Sequence, residues 1–239
     1  AAIKVIRRDF AEVPGALDRL KTEAQAAARL HHPNIVSVYQ FGEENGRYYI
    51  AFEYVPGRDL ARVIQEDGPM EPVRALRVIR QAAAALRYAS ENKIIHRDIK
   101  PSNLILLAGD VVKVADFGLA KRLDADTKLT KTDMVVGSPS YMSPEQGLGK
   151  TLDFRADIYS LGCTLFALLM GEAPYSASTP LAVMMHHANS AIPEPDKLKK
   201  AMDGRLVVLL KKMLAKRALE RHTSYEQLLK ELDELIGGA

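Results

Sequence analysis

Cysteine is nearly absent from this chain: its 239 residues contain one, Cys163, and no tryptophan. A single cysteine excludes an internal disulfide and any cysteine-rich metal site, and it fits a reducing compartment. Its surroundings, LGCTLFALL, read as packed core. Charge of one sign is also scarce, with 33 Lys and Arg against 30 Asp and Glu for a formal net charge of +3. Basic residues scattered among nearly as many acids give no basis for a broad nucleic-acid-binding face, so no nucleic-acid partner is expected. Long apolar runs are missing too. The longest, residues 161–170, is too short to cross a bilayer, and no signal peptide is read at the start. No methionine opens the chain, which is therefore expected to be a piece of something longer. What remains is an ordinary globular composition, 47% hydrophobic and 26% charged. It suffices to bury a core in one larger domain or two small lobes.

Two regions differ in texture. Residues 1–55 read as a strand (AAIKVI), a helix over 16–30, and two β-rich runs, IVSVYQF and YYIAFEYV, separated by the turn-forming EENG. From residue 56 onward helices dominate. The segment 73–91 carries Leu76, Ile79, Ala83 and Leu86 at helical spacing, and 160–170 is apolar nearly all round. Further helices are expected near 204–216 and 224–236. Two stretches, 122–149 and 175–199, are rich in Ser, Thr, Pro and Gly and read as irregular and functional. The VPG turn at 55–57 is the expected joint between a small α+β unit (1–55) and a mainly helical one (56–239).

The polar chemistry gathers in IIHRDIKPSNLIL, residues 94–106, where Asp98, Lys100 and Asn103 stand within six residues between apolar runs. A surface turn built on Pro101 and Ser102 explains the proline and serine but not an acid, a base and an amide together. Phosphate chemistry suits that set. An aspartate accepts a proton from an attacking hydroxyl, a lysine neutralises the transferred group, and an amide oxygen with a second aspartate holds Mg²⁺. The second aspartate is Asp116, in DFGLAK after the strand-like VVKVA, with Gly118 permitting a sharp backbone change beside it. Lys4 on a strand and Glu23 on a helix are expected to pair and aim the lysine at phosphates.

In this order, AAIK (Lys4), HRDIKPSN (Asp98, Asn103), DFG (Asp116) and SPE (Glu145), the motifs resemble the protein kinase family over essentially the whole chain. The resemblance implies an α+β, two-lobed kinase-like fold with a truncated, small β-rich N-lobe and a mainly helical C-lobe. It implies ATP and Mg²⁺, with Mn²⁺ as the alternative metal. Asp98 is then the catalytic base, with Lys100 beside it. Asn103 and Asp116 are the metal ligands, and Lys4, paired with Glu23, meets the α- and β-phosphates. Phe52 would stand at the back of the adenine pocket, the backbone of Glu53 to Val55 would bind adenine, and Ala2 and Ile105 would be roof and floor. Lys100, two residues after the aspartate, looks like the Ser/Thr class. SYMSPEQ and HPNIVSVYQFGEENGRYYIAFEYVPG look like the eukaryotic-like Ser/Thr kinases of bacteria. Protein Ser/Thr hydroxyls are the implied substrates.

The segment between DFG and SPE carries a regulatory expectation. Thr130 and Thr132 are expected autophosphorylation sites, in a homodimer of kinase lobes, with Arg97 and Lys121 receiving the new charge; the bland reading is that these threonines and Thr127 merely solubilise a loop. Ser138 would lie in the substrate-docking part. A Glu145–Arg221 salt bridge and an Asp157 brace on the HRD backbone are implied as structural, and His96 reads as packed. Ala27, four residues after Glu23, is smaller than the apolar residue many kinases carry there. GLGKT (147–151) does not complete a phosphate loop, since the first glycine would fall at Pro144. The adjacent pairs His31-His32 and His186-His187 lack the spacing of metal ligands. Only Ala1, Ala2 and Ile3 precede Lys4, so the family's glycine-rich loop is not in this sequence. Two classes are compatible with this: a Ser/Thr protein kinase, or a kinase-like binding or scaffolding module impaired by the missing loop. A cytoplasmic setting, or the cytoplasmic domain of a longer membrane protein, is expected from the need for ATP.

Overall fold

The structure, a computed structural model, describes residues 1–117, 138–193, 196 and 204–238. It opens on strand β1 (Ala2–Val5), a one-turn helix α1 (Arg8–Ala11) and helix α2 (Ala16–Ala27). Helix α2 buries Leu20, Ala24 and Ala27, a 3- and 4-residue spacing that makes one apolar stripe. Strands β2 (Val38–Glu44) and β3 (Arg47–Phe52) come next, and the antiparallel sheet runs β1-β3-β2. Strand β1 is thus an edge, its four residues exposed, with Lys4 opposite Ile50 and Ala2 opposite Phe52.

Strand β2 differs from the sequence expectation at both ends, each for a physical reason. Strand β2 takes in Glu43 and Glu44, because Asn45 (φ 51°) and Gly46 (φ 70°) alone make the turn, so the acids pair with Tyr48 and Arg47. Its start moves to Val38 because Ile35 and Val36 are engaged elsewhere. The Val36 N–H donates to Val114 O at 2.9 Å, and the Val114 N–H to Asn34 O at 2.8 Å. Asn34 Nδ2 also reaches Val112 O at 2.7 Å. This loop therefore anchors the small sheet to residues 112–114 of the larger, mainly helical part.

After the 53–57 connection come β4 (Arg58–Asp59), α3 (Leu60–Asp67), α4 (Pro72–Glu91), β5 (Leu104–Leu106) and β6 (Val112–Val114), the three short strands forming a second sheet ordered β4-β5-β6. Asp59 and Glu71 cap α3 and α4 by accepting from the Arg62 and Arg74 N–H groups. Gly57 lacks a side chain for a reason of space: a Cβ there would lie 2.5 Å from the Leu106 carbonyl oxygen. Among the described residues the α-helices that follow are α5 (Pro144–Gly147), α6 (Arg155–Met170), α7 (Pro180–Asn189), α8 (Arg205–Met213) and α9 (Tyr225–Gly237). Helix α7 falls inside the stretch read as irregular. Thr179, whose hydroxyl accepts from the Ala182 N–H, and Pro180 at the first helical position start it.

Helix α6 is the centre of the helical part, buried from Ala156 to Leu169, with Cys163 fully buried among it. Each buried leucine or isoleucine there contributes about 1.5–3 kcal/mol. Burial pushes the Cys163 thiol up, consistent with packing rather than reactivity. A Cβ on Gly162 would stand 2.9 Å from Met213 Cβ, so α8 lies against α6 at a distance that only glycine allows. No helix among the described residues is long and apolar enough to cross a membrane.

Arg221 ties α5 to this body. Its guanidinium is wholly buried and bidentate on Glu145, with Nη1 to Oε1 at 2.6 Å and Nη2 to Oε2 at 2.8 Å. It also donates to the carbonyls of Arg155, Ala215 and Lys216 and lies 4.7 Å from the Tyr159 ring centroid. Every face of the cation is thus satisfied. Burial alone would raise the Glu145 pKa, and the Arg221 guanidinium outweighs it, leaving the carboxyl below its ordinary 4.5. A depressed carboxylate pKa contributes stability that is present above the unfolded value and lost as pH falls through the folded one. Arg221→Met should therefore cost about 3–5 kcal/mol by urea unfolding at neutral pH, since it strands a half-buried carboxylate. Glu145→Gln should flatten the loss of stability below pH 4.5, read from midpoints measured across that range.

Candidate active site

The connection between α4 and β5 holds the polar cluster, and its backbone is set before its side chains. His96 and Arg97 point their N–H groups at one carboxylate, Asp157 at the start of α6: His96 N to Oδ2 and Arg97 N to Oδ1, both 2.7 Å. Arg97 is held at φ 66°, a left-handed conformation unfavourable for a side chain of that size. Burial pushes the Asp157 carboxyl above its ordinary 3.8, opposed by His96 and by its N–H donors. His96 is fully buried, takes the Asp98 N–H on Nδ1 at 3.2 Å and meets Ala115 O through Nε2 at 2.9 Å. A carbonyl can only accept, so Nε2 carries the proton. The expectation of a packed, bracing histidine accords with these contacts.

Three side chains converge next. Lys100 Nζ is 2.9 Å from Asp98 Oδ2, and Asn103 Nδ2 donates to the same oxygen at 3.1 Å and to Asp98 O at 2.8 Å. Pro101 starts the 3-10 turn 101–103 that brings Asn103 back towards Asp98. Ile99, buried between the polar residues, anchors the loop to the core. The Asn103 carbonyl accepts from the Ala115 N–H at 2.9 Å. Ala115 is therefore held at both backbone groups by the same loop, one residue before Asp116. Asp116 is also left-handed, φ 60°, and Phe117 packs on His96 with ring centroids 4.7 Å apart.

Asp116 Oδ2 receives the Lys4 ammonium at 2.9 Å, an ion pair from β1 across to the end of β6. That is the partner the structure gives Lys4. Glu23 is half-buried on α2. Asn103 commits its Nδ2 to Asp98, which turns its amide oxygen the other way. That oxygen and the Asp116 carboxylate are hard donors of the kind Mg²⁺ takes.

The 53–55 stretch has its own geometry. Phe52 is buried behind it. The Glu53 side chain faces Lys113 on β6, Oε1 at 2.9 Å and Oε2 at 3.0 Å from Nζ, and accepts from the Ser37 N–H at 3.2 Å. Burial opposes its charge, but Lys113 and the Ser37 N–H hold the carboxyl below its ordinary range. Sequence reasoning missed Lys113; its alternation within VVKVA was the available signal. The Val55 carbonyl takes the Gly57 N–H at 2.9 Å. Among the described residues the Glu53 carbonyl and the Val55 N–H take part in no backbone hydrogen bond. Ala2 stands opposite Phe52 in the sheet, and Ile105, half-buried, lies on β5 opposite Lys113. Thr127, Thr130, Thr132, Gly118 and Lys121 lie outside the described residues.

Residues 1–232 match the protein kinase domain family, and the chain belongs to it. Its two-lobed α+β fold is the family's. Among curated proteins it is similar to the serine/threonine-protein kinase PknB of Mycobacterium leprae, 38% identical over 241 residues. PknB of Mycolicibacterium smegmatis is 40% identical over 236 residues, and PrkC of Bacillus subtilis 37% over 227. These alignments cover 99%, 97% and 95% of this chain but 39%, 38% and 35% of the relatives, so the chain spans under two fifths of their length.

Replacing Asp157 by Asn removes one of the two acceptors that the His96 and Arg97 N–H groups share. The expected result is a stability loss of about 1–3 kcal/mol in urea unfolding, with an unchanged m-value.

Proposed function

We propose that this chain is the catalytic domain of a Ser/Thr protein kinase, transferring the γ-phosphoryl group of Mg·ATP to protein Ser or Thr hydroxyls. The observation that carries the reading is the convergence of Lys100 and Asn103 on Asp98 Oδ2, with Lys4 and Asp116 joined 2.9 Å apart beside them. The names of the relatives support the same class. Adenine suits the Glu53 carbonyl and the Val55 N–H, an acceptor and a donor two residues apart, between Ala2 and Ile105.

In the transfer, the substrate oxygen bonds to the γ-phosphorus as the bond to the β,γ-bridging oxygen breaks, ADP leaves, and the hydroxyl proton passes to Asp98. Lys100, already ion-paired with Asp98, would meet charge on the moving group. Asn103 and Asp116 would hold Mg²⁺, which supplies charge neutralisation on the phosphates. Lys4 would then leave Asp116 for the α- and β-phosphates, with Glu23 as its new partner. Thr130 and Thr132 would be autophosphorylated, in trans between two copies, and Arg97 would receive the phosphate.

A second reading, a kinase-like binding module, is favoured by the Lys4–Asp116 pair, which engages both groups that nucleotide and metal need. One experiment separates the two: intact-mass spectrometry after incubation with Mg·ATP, with Asp98→Asn alongside. Phosphates added in the unaltered protein and lost at least 100-fold in rate in Asp98→Asn, roughly the scale of general-base contributions, establish the kinase. Nucleotide or protein binding without added mass establishes the module. Lys113→Met should raise the KM for ATP several-fold, by about 1 kcal/mol of lost positioning, while leaving kcat little changed.

A further inference from the structure

Helix α5 is one turn long and is closed by a capping box. The Ser143 Oγ accepts from the Gln146 N–H at 3.4 Å, and Gln146 Oε1 accepts from the Ser143 N–H and from its hydroxyl, each at 3.2 Å. A glutamate does this work as well as a glutamine. What a glutamate lacks is the amide NH₂, and in this protein that group has a separate partner. Gln146 Nε2 donates to the carbonyl oxygen of Arg97 at 2.8 Å. The orientation of the amide is set by its partners, because Arg97 O only accepts and the Ser143 N–H only donates.

The carbonyl so held belongs to the peptide bond between Arg97 and Asp98. The N–H of that same bond donates to His96 Nδ1 at 3.2 Å. The peptide plane is thus gripped at both ends, by Gln146 on one side and His96 on the other. On the N-terminal side of Arg97, Asp157 takes the Arg97 N–H at 2.7 Å. Arg97 sits at φ 66°, outside the relaxed regions for a long side chain, so its backbone stays there because its neighbours hold it. Two of the three restraints come from within the catalytic loop and α6. The third comes from α5, which Glu145 and Arg221 seat on the helical body through the bidentate pair one residue earlier.

Resting on the kinase reading for its effect on catalysis, we propose that Gln146 is a positioning residue for Asp98: its amide N–H clamps the Arg97 carbonyl and makes the orientation of Asp98 depend on how α5 is seated. The residue touches no substrate. It acts by fixing the plane from which Asp98 is suspended, and so links the end of the substrate-docking segment, residues 138–147, to the proton acceptor. A capping role alone would make the Arg97 contact incidental, and three substitutions divide the two. Gln146→Glu keeps the acceptor for Ser143 and loses the donor, setting a carboxylate oxygen against the carbonyl. Gln146→Lys keeps a donor for Arg97 and loses the acceptor. Gln146→Ala loses both.

Two measurements are made on each protein. The first is kcat, and KM for ATP and for a peptide of residues 126–136 of this chain, with Mg²⁺. The second is hydrogen exchange of the segment 94–100, which needs no activity. The clamp predicts that Gln146→Glu lowers kcat by roughly tenfold, the scale expected when a catalytic group is held less closely, with both KM values within about twofold. It also predicts faster exchange at the Asp98 amide in Gln146→Glu and Gln146→Ala, with Gln146→Lys close to wild type in both measurements. Melting temperatures report the cap separately, and should fall in Gln146→Lys and Gln146→Ala more than in Gln146→Glu. A kcat and an exchange rate unchanged in Gln146→Glu, with losses confined to the two variants that lack the cap, overturn the proposal. If the unaltered protein transfers no phosphate, the kinase reading fails, and the exchange pattern alone then upholds or overturns the clamp.

Discussion

One buried carboxylate organises the site. Asp157 leaves the first turn of α6, the most deeply buried helix among the described residues, and accepts the N–H groups of two successive residues, His96 and Arg97. Taking a carboxylate out of water is costly, and donors matched to its oxygens offset that cost. The result is a fixed direction for a loop that contains almost no regular structure of its own. From that anchor the contacts proceed outward: His96 holds the Asp98 N–H and the Ala115 carbonyl, Asn103 holds Asp98 and the Ala115 N–H, and Asp116 comes directly after Ala115. Two carboxylates eighteen residues apart in sequence, Asp98 and Asp116, are thereby referred to the same helix.

The strain in the site has the same origin. Arg97 and Asp116 both have positive φ: Arg97 is hydrogen-bonded at both its own N–H and its carbonyl, and Asp116 directly follows Ala115, whose N–H and carbonyl are both engaged. Such conformations persist when the surroundings over-determine them. The surroundings here are drawn from α5, α6 and the connection leading into β5, segments far apart in the chain. Arg221, near the end, completes the set by holding Glu145 and so α5. The electrostatics of the small sheet are looser. Lys4 lies on an exposed edge strand, and its pair with Asp116 is partly open to water, so it exchanges partners at lower cost than the Glu145 pair.

Residue type and order alone made much legible. Asp98, Lys100, Asn103 and Asp116 could be singled out because an acid, a base and an amide between apolar runs are chemically conspicuous, helix α4 because its apolar residues recur at helical spacing, and α6 because it is apolar nearly all round. Other features were invisible for stated reasons. Helix α7 hid in a polar, proline-bearing stretch whose start signal, Thr179 before Pro180, is only two residues long. The displaced start of β2 depends on a strand, β6, that arrives some seventy-five residues later and takes the Ile35 and Val36 backbone for itself. Gln146 looks in the sequence like half of a capping box, and Lys113 like one polar residue on a strand. Their second partners, Arg97 O and Glu53, are set by packing.

By itself, then, the sequence determined which groups are available: the family, the carboxylates and amide, the lysines, and the helices whose periodicity is local. Local chemistry carries that information because turn residues, caps and apolar spacing act within a few residues of one another. Apart from the Glu145–Arg221 pair and the Asp157 brace, which the family resemblance implied and the structure shows, which group meets which was decided by the tertiary structure. Lys4 is paired with Asp116, Arg97 is held at both ends of its backbone, and Ala115 is clasped by a loop a dozen residues upstream. Those pairings depend on how α5, α6 and the two sheets pack, and the hydrogen bonds that fix them join groups with no sequence proximity to announce them.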